Sequence, residues 1–286
     1  MPGKIVHISD LHIEAHPEIM YQGVNQYLRE AARLLVAEEP DLVIVSGDLT
    51  SHGSRDVHEL EMARDWLMGL QVPFMTVPGN HDLGANSWRG HMYPLTEAYE
   101  PTPFSETNYG SVFYSEPVTV HDLQDVSVVG IALRDNDPDN ALGILESTLS
   151  VASKPVILVG HYPLEETRSE GPLRTFAYQE FIPHCVDRLL SLITSYPSVR
   201  IYACGHVHAS TSQRIAPHCL QVTAGGLGPG PSLYRVYTVL GDQLHFGTRL
   251  GAGPLGFWER LVPDFEYPPE YHLGYRDERN GLQTLY

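Results

Sequence analysis

The chain has little cysteine, no cluster of basic residues and no long apolar stretch. Its 286 residues include only Cys185, Cys204 and Cys219, an odd number with no Cys-x-x-Cys pair. That count argues against a disulfide framework and leaves three reduced thiols. Lysine and arginine together number 18 against 35 aspartates and glutamates, a formal charge of -17. No two basic residues are adjacent, so the stripe that extended nucleic-acid binding uses is missing, and nucleic acid is not expected as a partner. A small anionic substrate stays compatible with this charge, because divalent cations at a site would offset it locally. No segment approaches the roughly 20 apolar residues of a membrane span. The start, Met1-Pro2-Gly3-Lys4, runs straight into Ile5-Val6-His7-Ile8 without the apolar region of a signal peptide. The expectation is a cytoplasmic protein with no membrane partner.

What is present is enough apolar material, 42% of residues, to build one large α/β core. Short runs rich in β-branched residues recur at Lys4-Ile8, Leu42-Ser46, Pro73-Val77, Val126-Leu133, Pro155-Val159 and Val199-Cys204. They read as buried strands. Between them lie helical patterns. Val24, Leu28, Ala31, Leu34 and Leu35 share a face, as do Val57, Leu60, Ala63, Trp66, Leu67 and Leu70; weaker candidates run from Leu142 to Val151 and from Val186 to Ile193. This alternation predicts a largely parallel sheet covered by helices. Later segments, Gln213-Ile215, Cys219-Thr223, Leu233-Leu240 and Gln243-Arg249, predict a second, more antiparallel sheet packed on the first, with a hairpin at Gly241-Asp242. Residues 1–253 are expected to form one domain. Residues 254–286, rich in Tyr, Pro and Glu, are expected to be an extended tail on that domain or on a partner, with a homodimer contact or a substrate cap through Tyr267, Tyr271, Tyr275 and Tyr286 as further uses.

The strand ends carry the chemistry. Ser9-Asp10-Leu11-His12, Gly47-Asp48, Gly79-Asn80-His81-Asp82, Gly160-His161 and Gly205-His206-Val207-His208 follow apolar runs almost directly. Asp, Asn and neutral His are ligands for divalent cations of intermediate hardness, and sites in open α/β sheets form at the carboxyl ends of strands. Asp10, His12, Asp48, Asn80, His161, His206 and His208 are therefore predicted to converge. Residues two apart on an extended segment face the same side, which would let Asp10 with His12, and His206 with His208, present donors in pairs. Seven ligands exceed the needs of one ion that must also leave room for substrate. Two ions sharing one carboxylate fit better, as in paired-metal hydrolases, and the mixed Asp/Asn/His set suits Mn, Fe or Zn better than Mg or Ca.

These five motifs, in this order, resemble the signature of the calcineurin-like metallophosphoesterase superfamily. Ile8-Ser9-Asp10-Leu11-His12 with Gly47-Asp48-Leu49-Thr50 and Gly53 is most similar to its class III cyclic-nucleotide phosphodiesterase branch, although Tyr162 stands where that branch often has a second His. The resemblance implies a four-layer α-β-β-α sandwich of two mixed sheets flanked by helices. It implies that Asp10, His12 and His208 hold one ion, that Asn80, His161 and His206 hold the other, and that Asp48 bridges them. It further implies hydrolysis of a small, cyclic nucleotide-like phosphodiester through in-line attack by a water or hydroxide between the ions. His81 would contact the phosphate, with Asn80, and act as general acid. Phosphomonoesterase and nuclease activity in the same superfamily are the alternatives, with a non-catalytic protein-binding scaffold as the reading of a different class.

Other residues carry weaker signals. His7, inside a strand, reads as a core histidine, and Asp82 as a residue that orients a neighbour. His91, with Arg89 on the loop after the Gly-Asn-His-Asp motif, is a candidate phosphate contact. The run Asp135-Asn136-Asp137-Pro138-Asp139 lacks the Gly and terminal Glu of a calcium loop and reads as an acidic turn. Gly225, Gly226, Gly228 and Gly230 have no following helix and read as a bend near the active edge rather than a phosphate cradle.

Overall fold

The computed structural model describes residues 3–16, 18, 20–83, 102–134, 136–168, 170–171, 185–268 and 270–286, with residue 258 described by its backbone only. The strands are β1 (Gly3–Ile8), β2 (Leu42–Ser46), β3 (Phe74–Val77), β4 (Val118–Asp122), β5 (Ser127–Ile131), β6 (Val156–Val159), β7 (Val199–Cys204), β8 (Ser212–Ala216), β9 (Cys219–Thr223), β10 (Leu233–Leu240), β11 (Gln243–Leu250) and β12 (Asn280–Thr284). They form two six-stranded sheets, ordered β12-β11-β10-β1-β2-β3 and β4-β5-β6-β7-β9-β8. Helices α1 (Val24–Ala37) and α2 (Val57–Gly69) connect the parallel strands β1, β2 and β3. Helices Ala141–Ser150 and Val186–Ser195 serve the parallel strands β5, β6 and β7 in the same way.

The later strands do not make a sheet of their own, as the sequence had implied. β10 and β11 join β1 in antiparallel pairing, while β9 pairs parallel to β7 and carries β8 on its outer edge. The physical reason is that neither pair could bury both of its faces alone. Each instead extends an existing parallel sheet, giving two mixed sheets. The hairpin falls at the predicted place: Leu240 pairs with Gln243 across Gly241-Asp242, and Gly241 supplies the positive φ of 62° that such a two-residue turn needs.

Continuous apolar strands follow from burial on both faces. Val6, Ile8, Val43 and Val45 pack outward against Val24, Leu28, Leu35, Leu60 and Leu67 of α1 and α2. Ile5, Ile44, Met75, Val77, Val128, Ile157, Val159, Ile201 and Tyr237 fill the space between the sheets. Val129, Leu158 and Tyr202 pack against Leu142, Leu145, Leu149, Leu189 and Ile193 on the far side. Truncating an interlayer residue such as Ile44 or Ile157 to Ala would cost about 2–5 kcal/mol. His7 lies in this middle layer as a satisfied core histidine. Its ring bonds Tyr237 Oη at 2.9 Å and Ser46 Oγ at 2.8 Å, and burial followed by the charge of Arg235 pushes its pKa down to about 3.

The segment after residue 253 is folded rather than extended. It contains helical turns at Trp258–Leu261, Glu270–Leu273 and Arg276–Arg279 and ends in β12, which pairs antiparallel with β11. Arg235 of β10, fully buried, donates to Thr223 O at 3.0 Å, Thr211 O at 2.8 Å and Glu278 O at 2.8 Å, tying both sheets to this segment. Arg168 grips the Glu278 carboxylate from both nitrogens, at 2.6 and 3.0 Å. Among the described residues no helix is long and apolar enough to cross a membrane.

Candidate metal centre

The ends of β1, β2, β3, β6 and β7 open onto one edge of the sandwich, so the predicted ligands come from two sheets rather than one. The loop after β1 continues the parallel pairing beyond the strand: Asp10 N donates to Gly47 O and His12 N to Asp48 O, both at 3.0 Å. The backbone there is not extended. Asp10, His12, Asp48, His206 and His208 all have positive φ, between 46° and 69°. The idea that Asp10 and His12, or His206 and His208, share the side of an extended segment is therefore corrected. Left-handed turns aim these side chains, a strained conformation for residues with a Cβ that persists only where surrounding structure enforces it. Close approach enforces it here. A Cβ on Gly205 would lie 1.7 Å from Ser9 Oγ, and one on Gly79 2.1 Å from Asp48 Oδ1.

Three groups of side chains result, each with ligand atoms within 4.8 Å of one another: Asp10, His12 and His208; His12, Asp48 and His81; Asp48, His161 and His206. Asp48 belongs to two of them. His12 Nε2 lies 3.3 Å from His208 Nε2 and 3.8 Å from Asp48 Oδ2, His208 Nε2 lies 3.4 Å from Asp10 Oδ1, and His161 Nε2 lies 3.4 Å from Asp48 Oδ2. Asn80 joins through Oδ1, 3.1 Å from His161 Nε2. All seven predicted ligands are thus brought to one region. His81 is brought there as well, its backbone N–H donating to Asp48 Oδ1 at 2.9 Å. His91 and Arg89 lie outside the described residues.

Backbone carbonyls fix the tautomers. His161 Nδ1 meets Ser46 O at 2.7 Å, His208 Nδ1 meets Gly230 O at 3.1 Å and His81 Nδ1 meets Ser51 O at 2.9 Å. A carbonyl can only accept, so each Nδ1 carries the proton and each Nε2 is turned to the centre, the arrangement that orients metal-binding histidines. The donor set fits cations on three counts. Asp10 Oδ1 is buried without a hydrogen-bond partner. Asp10 and Asp48 are both buried among histidine rings. Burial pushes His12, His206 and His208 down, His208 to about 3. Burial and then the Asp48 charge raise Asp10 to about 7. Burial opposes ionisation of Asp48 too, but the ring of His161 holds its carboxyl well below the usual range. For His161 burial is outweighed by the Asp48 and Asp10 charges, which carry it to about 9. A protonated His161 is a partial substitute for a cation, and ligands must shed such protons when metal binds.

Asp82 orients its neighbours as expected. Its two oxygens accept from Leu49 N, Gly79 N, Thr50 N and Thr50 Oγ1 at 2.8–3.1 Å, clamping the loop after β2 to the loop after β3. The acidic run forms no cation cage among its described residues: Asp137 accepts from Ala141 N and Leu142 N at the start of a helix, and Asp139 pairs with Arg134. The glycine-rich bend lies against the centre. Leu227 N donates to Ser9 O, and a Cβ on Gly226 would come within 2.6 Å of His208 Nδ1. Sequence reasoning missed Tyr21, whose ring meets His12 edge-on at 4.7 Å, and Phe257, stacked on His208 at 3.9 Å and 18°. Neither stands in a motif, and Phe257 is far from His208 in the chain.

A two-sheet sandwich with one aspartate shared between two histidine-rich groups at its strand ends defines a class, the dinuclear metallohydrolases of phosphate esters. The chain belongs to the calcineurin-like phosphoesterase family, whose sequence profile matches residues 3–210, and is a metal-dependent phosphoesterase. It is 30% identical over 213 residues to a glycerophosphodiester phosphodiesterase of Enterobacter lignolyticus, covering 72% of this chain and 71% of that protein. It is 24% identical over 249 residues to a 3',5'-cyclic adenosine monophosphate phosphodiesterase of Escherichia coli K12, covering 79% and 82% respectively. A dimetal phosphatase from Danio rerio shares the fold, with a TM-score of 0.60 at 14% identity over 89% of this chain and 98% of that one.

Proposed function

We propose that the protein is a phosphodiesterase for small diesters, with Asp10, His12 and His208 holding one ion, Asn80, His161 and His206 the other, and Asp48 bridging. The observation that carries the reading is the place of Asp48, a buried carboxylate common to the His12/His81 group and the His161/His206 group. Mn, Fe or Zn suits the Asp/Asn/His donors. When bound, the ions supply Lewis-acid stabilisation of charge on the phosphoryl oxygens and acidify a solvent molecule for attack.

The chain's own residues do the rest. The carbonyls of Ser46 and Gly230 hold the His161 and His208 rings so that their Nε2 lone pairs face inward. Asp82 holds the Asp48 and Asn80 loops at fixed separation. His81, with its Nδ1–H committed to Ser51 O, has Nε2 as its working atom, and when Nε2 also carries a proton it can donate to a phosphoryl oxygen and pass that proton to the leaving alkoxide. Asn80 offers its amide to the same phosphate. The named activities of the two relatives, one on glycerophosphodiesters and one on a cyclic nucleotide, support diesters of small alcohols or nucleosides as the substrate class. The net charge of -17 speaks against long nucleic acids.

The test is turnover by Mn-loaded protein of cyclic nucleotides, glycerophosphodiesters, phosphomonoesters, nucleotide anhydrides and oligonucleotides. Diesters should be cleaved best, and Asp48→Ala should lose both equivalents of metal together with nearly all turnover. Faster hydrolysis of monoesters than of any diester would refute the substrate class. An Asp48→Ala protein that still holds two ions would refute the bridge, and a loaded protein inert toward the whole panel would favour a scaffold.

A further inference from the structure

The family match ends at residue 210, yet the first proposed ion pocket is bounded by residues that come later. His208 has its Nδ1 edge held by Gly230 O and by the close approach of Gly226. Its flat face is covered by Phe257, with ring centroids 3.9 Å apart and planes 18° from parallel. Phe257 is itself buried, packed with Val207, Ala209 and Tyr271. The chain is delivered there by a local staple: Ser232 N donates to Pro254 O at 2.8 Å, and Ser232 Oγ accepts from Gly253 N at 2.9 Å while donating to Leu227 O at 3.0 Å. Arg260, over the Phe257 ring at 6.0 Å, donates to Pro229 O and closes the turn. On the other side Tyr21 sets its ring edge against His12, its backbone N–H held by Glu14 Oε1 at 3.0 Å. Phe257 and Tyr21 meet with centroids 6.2 Å apart.

We propose that the C-terminal segment is a wall of the metal centre, with Phe257 a positioning residue that fixes the His208 ring for the first ion and leaves the second ion untouched. The inference rests on the assignment of Asp10, His12 and His208 to that ion. A ring constrained by a hydrogen bond at one edge alone can still rock about it. The parallel face of Phe257 removes that freedom, so that His208 Nε2 stays where His12 Nε2 and Asp10 Oδ1 converge. An aliphatic side chain would fill the volume without supplying a flat face.

Cobalt(II) titration into the metal-free full-length protein, followed by its d–d absorption, reads each equivalent separately from catalysis. Wild type should take up two equivalents. Phe257→Leu should weaken one of them about 10–100-fold, the range seen when a ligand's supporting partner is lost, and leave the other unchanged. Phe257→Tyr should restore wild-type uptake. The metal-free melting temperature of each variant separates positioning from packing, and Phe257→Met replaces the Leu variant if that one does not fold. Two equivalents at wild-type affinity in Phe257→Leu would overturn the proposal, as would equal weakening of both together with a lowered metal-free melting temperature. A wild-type protein that takes up no cobalt would instead overturn the dinuclear reading beneath it, so the two failures are distinct.

Discussion

Adding one methyl group at Gly79 tests the geometry of the centre more sharply than removing a ligand does. The new Cβ would stand 2.1 Å from Asp48 Oδ1, 2.5 Å from Asp48 N and 2.7 Å from Asp48 Cγ. Ordinary contacts between such atoms are about 3.5 Å, so Asp48 or the loop carrying Gly79 must give way by more than about 1 Å. Rotation of a side chain does not relieve it, because one of the crowded atoms is backbone. Overpacking of this kind costs about 1–3 kcal/mol, and a misplacement of about 1 Å at a reacting centre costs about 100-fold in rate. Gly79→Ala should therefore melt lower, bind less than two equivalents of manganese by elemental analysis, and hydrolyse bis(4-nitrophenyl) phosphate about 100-fold more slowly. Gly69→Ala is the matched control. It lies at the last residue of α2 with nothing within 4 Å of the added Cβ, and should be neutral or more stable by about 0.4–1 kcal/mol. If Gly79→Ala keeps both metals and turns over within a few-fold of wild type, the crowding around Asp48 is wrong and the assignment of the bridge loses its support.

His81→Ala should retain both metals and lose rate, most with diesters of poorly acidic alcohols; a metal-free His81→Ala protein would show that His81 is a ligand instead. His7 predicts an acid-sensitive core. Its folded pKa of about 3 lies below the ordinary 6.5, so between those values the unfolded chain binds a proton that the folded one does not, and stability falls as pH falls. From pH 7.5 to 5.0 this one group removes about 2 kcal/mol. Urea unfolding of chelated protein should show His7→Gln losing less stability than wild type by about that amount over the interval. Equal losses in the two proteins would refute it.

The sequence made the strands and the ligand set legible for a shared reason. Buried parallel strands advertise themselves as unbroken β-branched runs, and the residues just past them have no core to fill, so polar ligands there stand out. The partition of β8 to β11 between two sheets was not legible, because a strand records which of its faces are buried and not which neighbour buries them. β4 escaped notice because Val118, Thr119, Val120, His121 and Asp122 form an edge strand, exposed or half-exposed, without an apolar run. β12 was hidden similarly, with Gln283 its one buried residue. The left-handed backbone of Asp10, His12, Asp48, His206 and His208 had no signature, since such conformations are imposed by packing around the site. Phe257 and Tyr21 were invisible because an aromatic ring packed on a histidine looks, in one dimension, like any other core residue.

The pairing of β10 with β1 has a consequence for biosynthesis. Lys4 lies opposite Thr238 and His7 opposite Arg235, so the strand that leads into Asp10 has no neighbour on that side until β10 has been made. Contacts of such separation are slow to form. Asp10 and His12 thus precede by far the strand that frames them, and a cation held there would wait for β10 to be made.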